Sequence, residues 1–81
     1  MSNTLLFALD KNTEEIIVSD SPKGSNSANF IERISRKENE MLFSAVLTLT
    51  NITHHPNFDV KIFKAMDKVC SLMYNQHKGI Q

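Results

Sequence analysis

The sequence predicts a mainly helical α+β domain in which an N-terminal β-hairpin packs on an antiparallel two-helix hairpin. Two short β-rich runs flank a polar loop, residues 41–53 form an uncharged stretch suited to a buried helix, and residues 58–76 have a helical period. With 81 residues, the chain is expected to be a single small domain. The predicted segments are a hairpin at 1–20, a loop at 21–29, a helix at 30–53, a turn at 54–57 and a helix at 58–76.

The hairpin is predicted from apolar residues that alternate along two short runs. Leu5, Phe7 and Leu9 would share one face of the first strand, and Ile16 and Val18 would share one face of the second. Residues 10–14 form the polar loop between them. Because an isolated hairpin is marginally stable in water, its apolar face is expected to pack on the central stretch.

The central helix is predicted from residues 41–53, which carry no charge and are apolar around most of a helical circumference. Phe30 and Ile34 extend this stripe toward the N-terminus at helical spacing. Asn29 and Glu32 have the spacing of a capping box, which places the start of the helix at Phe30. Leu49 is expected to lie at the centre of the core.

A second interpretation of the same stretch makes residues 42–50 a strand. Phe43, Ala45, Leu47 and Leu49 alternate with Ser44, Val46, Thr48 and Thr50, and β-branched residues are enriched near the end of the run. Ser35 and Glu38 would then cap a shorter helix. The element order in this alternative is ββαβα.

The last helix follows a break at residues 54–57. Pro56 disfavours helical backbone at the preceding residue, and Asn57 is a plausible N-cap. Gly79 is a suitable C-terminal stop. The helix carries apolar residues over about half its girth, and Val69 is expected, like Leu49, to be so well buried that a charge there would unfold the protein.

No enzyme signature is present, and neither a cofactor nor a metal is expected. His54, His55 and Asp59 are metal-ligating residue types, but adjacent histidines tend to point apart and the ligand set is incomplete. Cys70 is the single cysteine and falls on the apolar side of the last helix, which is typical of a small buried hydrophobe. No segment resembles a signal peptide or a membrane span, so a cytoplasmic protein with no membrane partner is the expectation.

Two functions are compatible with these features. The first is a small non-enzymatic interaction or regulatory protein, acting through a helical protein–protein interface as a homodimer or with another protein. A short chain without disulfides has little stability to spare, and surplus apolar surface favours association. The expected interface residues are Phe58, Ile62, Phe63, Met66, Val69, Met73 and Leu47.

The second function is a nucleic-acid-binding regulator that uses a lysine face of the last helix. Its candidate phosphate-binding residues are Lys61, Lys64, Lys68 and Lys78. The net charge of zero argues against a general affinity of the whole chain for nucleic acid. The interaction protein is therefore the first hypothesis and nucleic-acid binding the alternative.

Overall fold

The structure, a computed structural model, describes residues 4–22 and 27–79 and contains a three-stranded sheet followed by two helices. The strands are β1 (Thr4–Asp10), β2 (Glu15–Ser21) and β3 (Asn29–Ser35), and the helices are α1 (Glu40–Thr53) and α2 (Val60–Lys78). The α+β class is confirmed. Helices account for 46% and strands for 29% of the described residues, so strands are a larger part of the fold than the sequence indicated.

The β1–β2 hairpin has the register that the alternating apolar residues predict. Phe7 lies opposite Val18 and Leu9 lies opposite Ile16 in an antiparallel pair that closes at Asp10 and Glu15. The Asp10 side chain accepts hydrogen bonds from the backbone of Asn12 and Thr13 at 3.1 and 3.3 Å, which satisfies two amides of the turn.

The predicted helix at residues 30–53 is wrong over its first part, because residues 29–35 form β3. This strand pairs antiparallel with β2 and completes a sheet of order β1-β2-β3. Asn29 therefore begins a strand and does not cap a helix. Of the predicted loop at 21–29, Ser21 ends β2, Asn29 starts β3, and residues 23–26 lie outside the described residues.

Two features of β3 hide its strand character in the sequence. Val18 pairs with Glu32 and Ser19 pairs with Phe30, so Ile31 is an extra residue that forms a bulge and shifts the alternation. Glu32 lies opposite the buried Val18 and so shares its face, where an apolar residue would be expected.

Helix α1 begins ten residues later than predicted. Asn39 is its N-cap and accepts a hydrogen bond from the backbone of Leu42 at 3.0 Å. The Ser35 hydroxyl accepts from the Glu38 amide at 3.2 Å, which stabilises the turn before α1. The alternative with a strand at residues 42–50 is wrong, because all of these residues are helical.

One hydrophobic core lies between the sheet and the two helices. The face of the sheet that carries Ile16, Val18 and Ile34 is completely buried at these positions. Helix α1 covers it with five buried residues, including Leu49 at the centre of the stretch that the sequence places in the core. The buried set is Ile16, Val18, Ile34, Leu42, Phe43, Ala45, Val46, Leu49, Cys70 and Tyr74.

Helix α2 starts at Val60, two residues after the predicted start, and Asp59 is its N-cap in place of Asn57. The Asp59 side chain accepts from the Lys61 amide at 2.8 Å. The helix ends at Lys78, two residues beyond the predicted end at residue 76. Gly79 is its C-cap, as the sequence indicated, and has a φ of 78°, a left-handed conformation that glycine adopts without strain.

Within residues 4–22 and 27–79, no helix is long and apolar enough to cross a membrane.

Candidate interaction surface

Helix α2 exposes a regular row of residues along the side that faces away from the core. We call this row the α2 seam; its members recur at alternating steps of three and four residues. Three large apolar members remain far from buried, with Ile62 at 54%, Val69 at 42% and Leu72 at 53% exposure. The full seam is Ile62, Ala65, Val69, Leu72 and Gln76.

The opposite side of α2 supplies its contacts with the core. Cys70 and Tyr74 are buried there, and Phe63, Met66 and Met73 are partly buried against the core. The apolar half of the α2 circumference that the sequence predicts therefore divides into a core-facing part and an exposed part. Val69 belongs to the exposed part, so its predicted burial is wrong.

The seven residues predicted to form the interface do not form one surface. Phe58, Ile62 and Val69 are exposed, whereas Phe63, Met66 and Met73 are turned partly toward the core. Phe58 precedes α2 and packs on Phe63 with ring centroids 5.7 Å apart, which leaves 48% of Phe58 exposed.

Leu47 lies on a different side of α1 from the residues that border the seam. Thr48 and Ile52 of α1 line an open groove of about 360 Å³ together with Ile62 of α2. At 100° per residue, Leu47 is rotated about 140° from Ile52 around the helix. Leu47 is 38% exposed but separate from the α2 seam.

The lysine face predicted from the sequence is reduced to three residues. Lys61, Lys64 and Lys68 are exposed, and within the described part of the chain none of them pairs with a carboxylate. Lys78 instead forms an ion pair with Glu32, with Nζ 3.0 Å from Oε2. Lys61 and Lys68 lie immediately beside the seam on the helix surface.

The C-terminal half of α2 is held by polar contacts that we call the C-terminal polar cluster. The Tyr74 hydroxyl donates to the Glu32 carboxylate, and the Tyr74 ring meets Phe7 edge-on with centroids 6.0 Å apart. His77 contacts Asn39 and Glu38, while Lys78 contacts Glu32. The cluster is Glu32, Glu38, Asn39, Tyr74, His77 and Lys78.

The contacts of His77 define its tautomer. The Asn39 side-chain oxygen already accepts from the Leu42 amide, so its nitrogen Nδ2 faces His77 Nδ1 at 3.0 Å. Nδ1 must therefore accept, and Nε2 carries the proton that is donated to Glu38 at 3.1 Å. These bonds place the end of α2 beside the start of α1. Since Asp59 and Ile62 lie beside the end of α1, the two helices run in opposite directions.

Glu32 and Tyr74 shift each other's ionisation. The hydrogen bond from Tyr74, aided by Lys78, lowers the pKa of Glu32. Burial, with a further contribution from the Glu32 carboxylate, raises the pKa of Tyr74 to about 12. Both shifts favour the protonated phenol that donates to an ionised carboxylate.

This pair predicts a distinctive alkaline titration. Tyr74 is the only tyrosine and the chain has no tryptophan, so phenolate absorbance reports this residue alone. We expect a midpoint near pH 12 in the folded protein and a value near the ordinary 10 in urea. Because the folded pKa is the higher one, the associated stability is complete below about pH 10 and is lost as the pH rises toward 12.

A Glu32→Gln variant is the control for the titration. It removes the negative charge but keeps an acceptor, so the Tyr74 midpoint should fall toward 10 while burial keeps part of the shift. A wild-type midpoint near 10 in the folded protein would contradict the buried Tyr74–Glu32 contact.

The residues considered for catalysis or metal binding have structural contacts. Burial, with a contribution from Asp67, raises the pKa of the Cys70 thiol to about 11, which leaves it protonated and weakly nucleophilic at neutral pH. The His55 ring accepts from the Asn57 amide at 3.0 Å. His54 Nδ1 lies 3.0 Å from the Thr50 carbonyl. In the described ranges, no three histidine, cysteine or acidic side chains are arranged to hold a metal ion.

Comparison with known proteins adds no further constraint. No protein-family model, no curated protein and no solved structure matches the chain. The α2 seam, its lysine border and the C-terminal polar cluster are therefore the features from which a function must be inferred.

Proposed function

We propose that this chain is a non-enzymatic interaction or regulatory protein that acts through the α2 seam, as a homodimer. The observation that carries this proposal is the exposure of Ile62, Val69 and Leu72 in one row on a helix whose other side is packed on the core. Rows of exposed apolar residues of this kind are typical of protein interfaces. A cytoplasmic location agrees with the single, unpaired cysteine but is itself part of the proposal.

Two further exposed apolar residues lie near the start of α2. Phe58 is 48% exposed and precedes the helix, and Val60 is 51% exposed. At 100° per residue, Val60 is rotated about 160° from the middle of the seam, so it is not part of the proposed surface. Leu47 is not part of this proposed surface, because it faces a different side of α1.

Stability supports association in a chain of this size. A domain of about 80 residues buries a smaller fraction of its surface on folding than a larger domain does, so a second copy that covers exposed apolar side chains adds stability that the monomer lacks. A two-fold dimer is the commonest way for such a chain to bury a single exposed face.

The test is sedimentation equilibrium of wild type and Val69→Asp over a range of concentrations that extends well above the micromolar. We expect a dimer for wild type and a species near the monomer mass of 9.2 kDa for Val69→Asp. Because Val69 is 42% exposed, the variant should retain the wild-type circular dichroism spectrum. The charge would be buried only at the interface, where an unpaired carboxylate is strongly unfavourable.

Leu47→Asp is the matched control, because it places the same charge at another exposed apolar helical position. It should leave the dimer intact. Wild-type protein that sediments as a monomer over a hundredfold range of concentration would contradict the homodimer. If Leu47→Asp dissociates the dimer and Val69→Asp does not, the interface lies on α1 and not on α2.

Nucleic-acid binding through Lys61, Lys64 and Lys68 is the second candidate, favoured by the exposure of these three side chains without carboxylate partners in the described residues. Asp67 and the absence of arginine from α2 weaken it, since arginine is the commonest base-reading cation. An electrophoretic shift with DNA or RNA that disappears when all three lysines become glutamate would favour this candidate.

A further inference from the structure

We propose that the α2 seam of one copy binds the α2 seam of a second copy with the two helices parallel and in register. This inference rests on the proposed function and specifies the orientation and the register of the second copy at its interface. Three observations support it: the spacing of the seam, the position of Gln76, and the residues at the two edges of the seam.

The seam has the spacing of a coiled coil. Steps of three and four residues place Ile62, Val69 and Gln76 at a positions and Ala65 and Leu72 at d positions of a heptad. Among parallel coiled coils, β-branched residues at a with leucine at d favour two strands. The small Ala65 side chain lets the two helices approach closely near their start.

Gln76 distinguishes the two orientations. In a parallel dimer, Gln76 faces Gln76 of the second copy, and the two side-chain amides can donate to and accept from each other. In an antiparallel dimer, a residues face d residues, so Ile62 faces Leu72 and Gln76 lies beyond the seam of the second copy, where it meets no matching amide. A polar residue at a single a position commonly fixes register in this way.

The edges of the seam favour the same orientation. Lys61 and Lys68 occupy g positions on one edge, and the partly buried Met66 and Met73 occupy e positions on the other. Parallel pairing places each g residue beside an e residue, so the lysine stems cover methionines of the second copy. Antiparallel pairing brings g beside g, which places the two copies of Lys68 close together.

The dimensions of the seam predict modest affinity. Helix α2 has 19 residues and a length of about 28 Å. With its lysine and methionine edges, a strip of this length buries roughly 1,000 Å² in total, near the lower limit for a specific interface. We expect a dissociation constant in the micromolar range, and the experiment should be made well above it.

Cysteine cross-linking of the full chain tests the orientation. A disulfide needs Cα atoms closer than about 7 Å, which a parallel dimer provides for Gln76→Cys and its copy. In the antiparallel dimer that pairs Ile62 with Leu72, these positions are about 27 Å apart along the helix axis. We therefore expect mild oxidation of Gln76→Cys to give a covalent dimer. The native Cys70 is completely buried and should not react. Wild-type protein oxidised in the same way is the control for this.

Two further samples complete the experiment. Lys64→Cys, which lies about 120° from the middle of the seam, is the matched control and should not cross-link. A mixture of Ile62→Cys and a size-tagged Leu72→Cys reports antiparallel pairing. A mixed disulfide in this sample, together with no disulfide between two copies of Gln76→Cys, would overturn the parallel arrangement while leaving the dimer and the proposed function in place.

Other outcomes overturn different parts of the inference. A dimer in sedimentation that gives neither cross-link would show that the second copy binds elsewhere. A third outcome is that the protein sediments as a monomer and binds a designed acidic amphipathic helix, with Val69→Asp abolishing this binding. In that case the partner of the seam is a different protein whose acidic residues complement Lys61 and Lys68. A monomer without such binding would contradict the proposed interaction function itself.

Discussion

Leu49→Asp should unfold the protein. Leu49 is 5% exposed and borders Phe7 of the sheet and Phe63 of α2, so a carboxylate at this position would have neither water nor a cation to stabilise it. Burial of an unpaired charge costs several kcal/mol, which is comparable to the total of about 5–15 kcal/mol that holds a small domain folded. Far-ultraviolet circular dichroism and a thermal melt should show loss of the cooperative transition.

Met41→Asp is the matched control on the same helix. Met41 is 74% exposed and lies in the first turn of α1, where a negative charge interacts favourably with the helix dipole. This variant should keep the wild-type spectrum and melt within a few degrees of it. A Leu49→Asp protein that unfolds as cooperatively as Met41→Asp would contradict the position of Leu49 in the core.

Tyr74→Ala should produce the next largest loss of stability. Tyr74 is 5% exposed, its ring contacts Phe7, and its hydroxyl donates to Glu32. Truncation of a buried aromatic side chain to alanine typically costs about 3–5 kcal/mol, because a cavity replaces its contacts. Urea unfolding followed by circular dichroism should show a lower midpoint, or an unfolded protein if the wild type is only marginally stable.

Tyr74→Phe separates the hydroxyl from the ring. It keeps the packing on Phe7 and removes one hydrogen bond to a charged acceptor, which is worth about 1.5–3 kcal/mol. In a Glu32→Gln background the cost of Tyr74→Phe should be smaller, because the acceptor is then neutral. Equal costs in the two backgrounds would show that Glu32 and Tyr74 are not coupled.

The parts of the fold that follow regular patterns were predictable from sequence. The alternation of Leu5, Phe7 and Leu9 gave β1, and the uncharged stretch at residues 41–53 gave most of α1. Strand β3 was not predictable from alternation, because the Ile31 bulge changes its phase and Glu32 occupies an inward position. Glu32 is tolerated there since Tyr74 and Lys78, more than 40 residues later, supply its partners.

The candidate surface was predictable only in outline. The apolar character of α2 is evident from its sequence, but Met66 and Val69 are equally apolar, and only the packed structure separates the core-facing residue from the exposed one. The unpredicted third strand also covers core surface that a hairpin would leave open. The C-terminal polar cluster had no local signal, because each of its contacts joins residues that are distant in sequence.

The C-terminal polar cluster also implies an order of folding events. The strands pair only with their neighbours in sequence, so the sheet can form after short loops close. The contacts from Glu32 to Tyr74 and to Lys78 span 42 and 46 residues. Closing such long loops costs more chain entropy, and these contacts can offset that cost only after α1 is in place. We therefore expect the end of α2 to dock after the strands have paired.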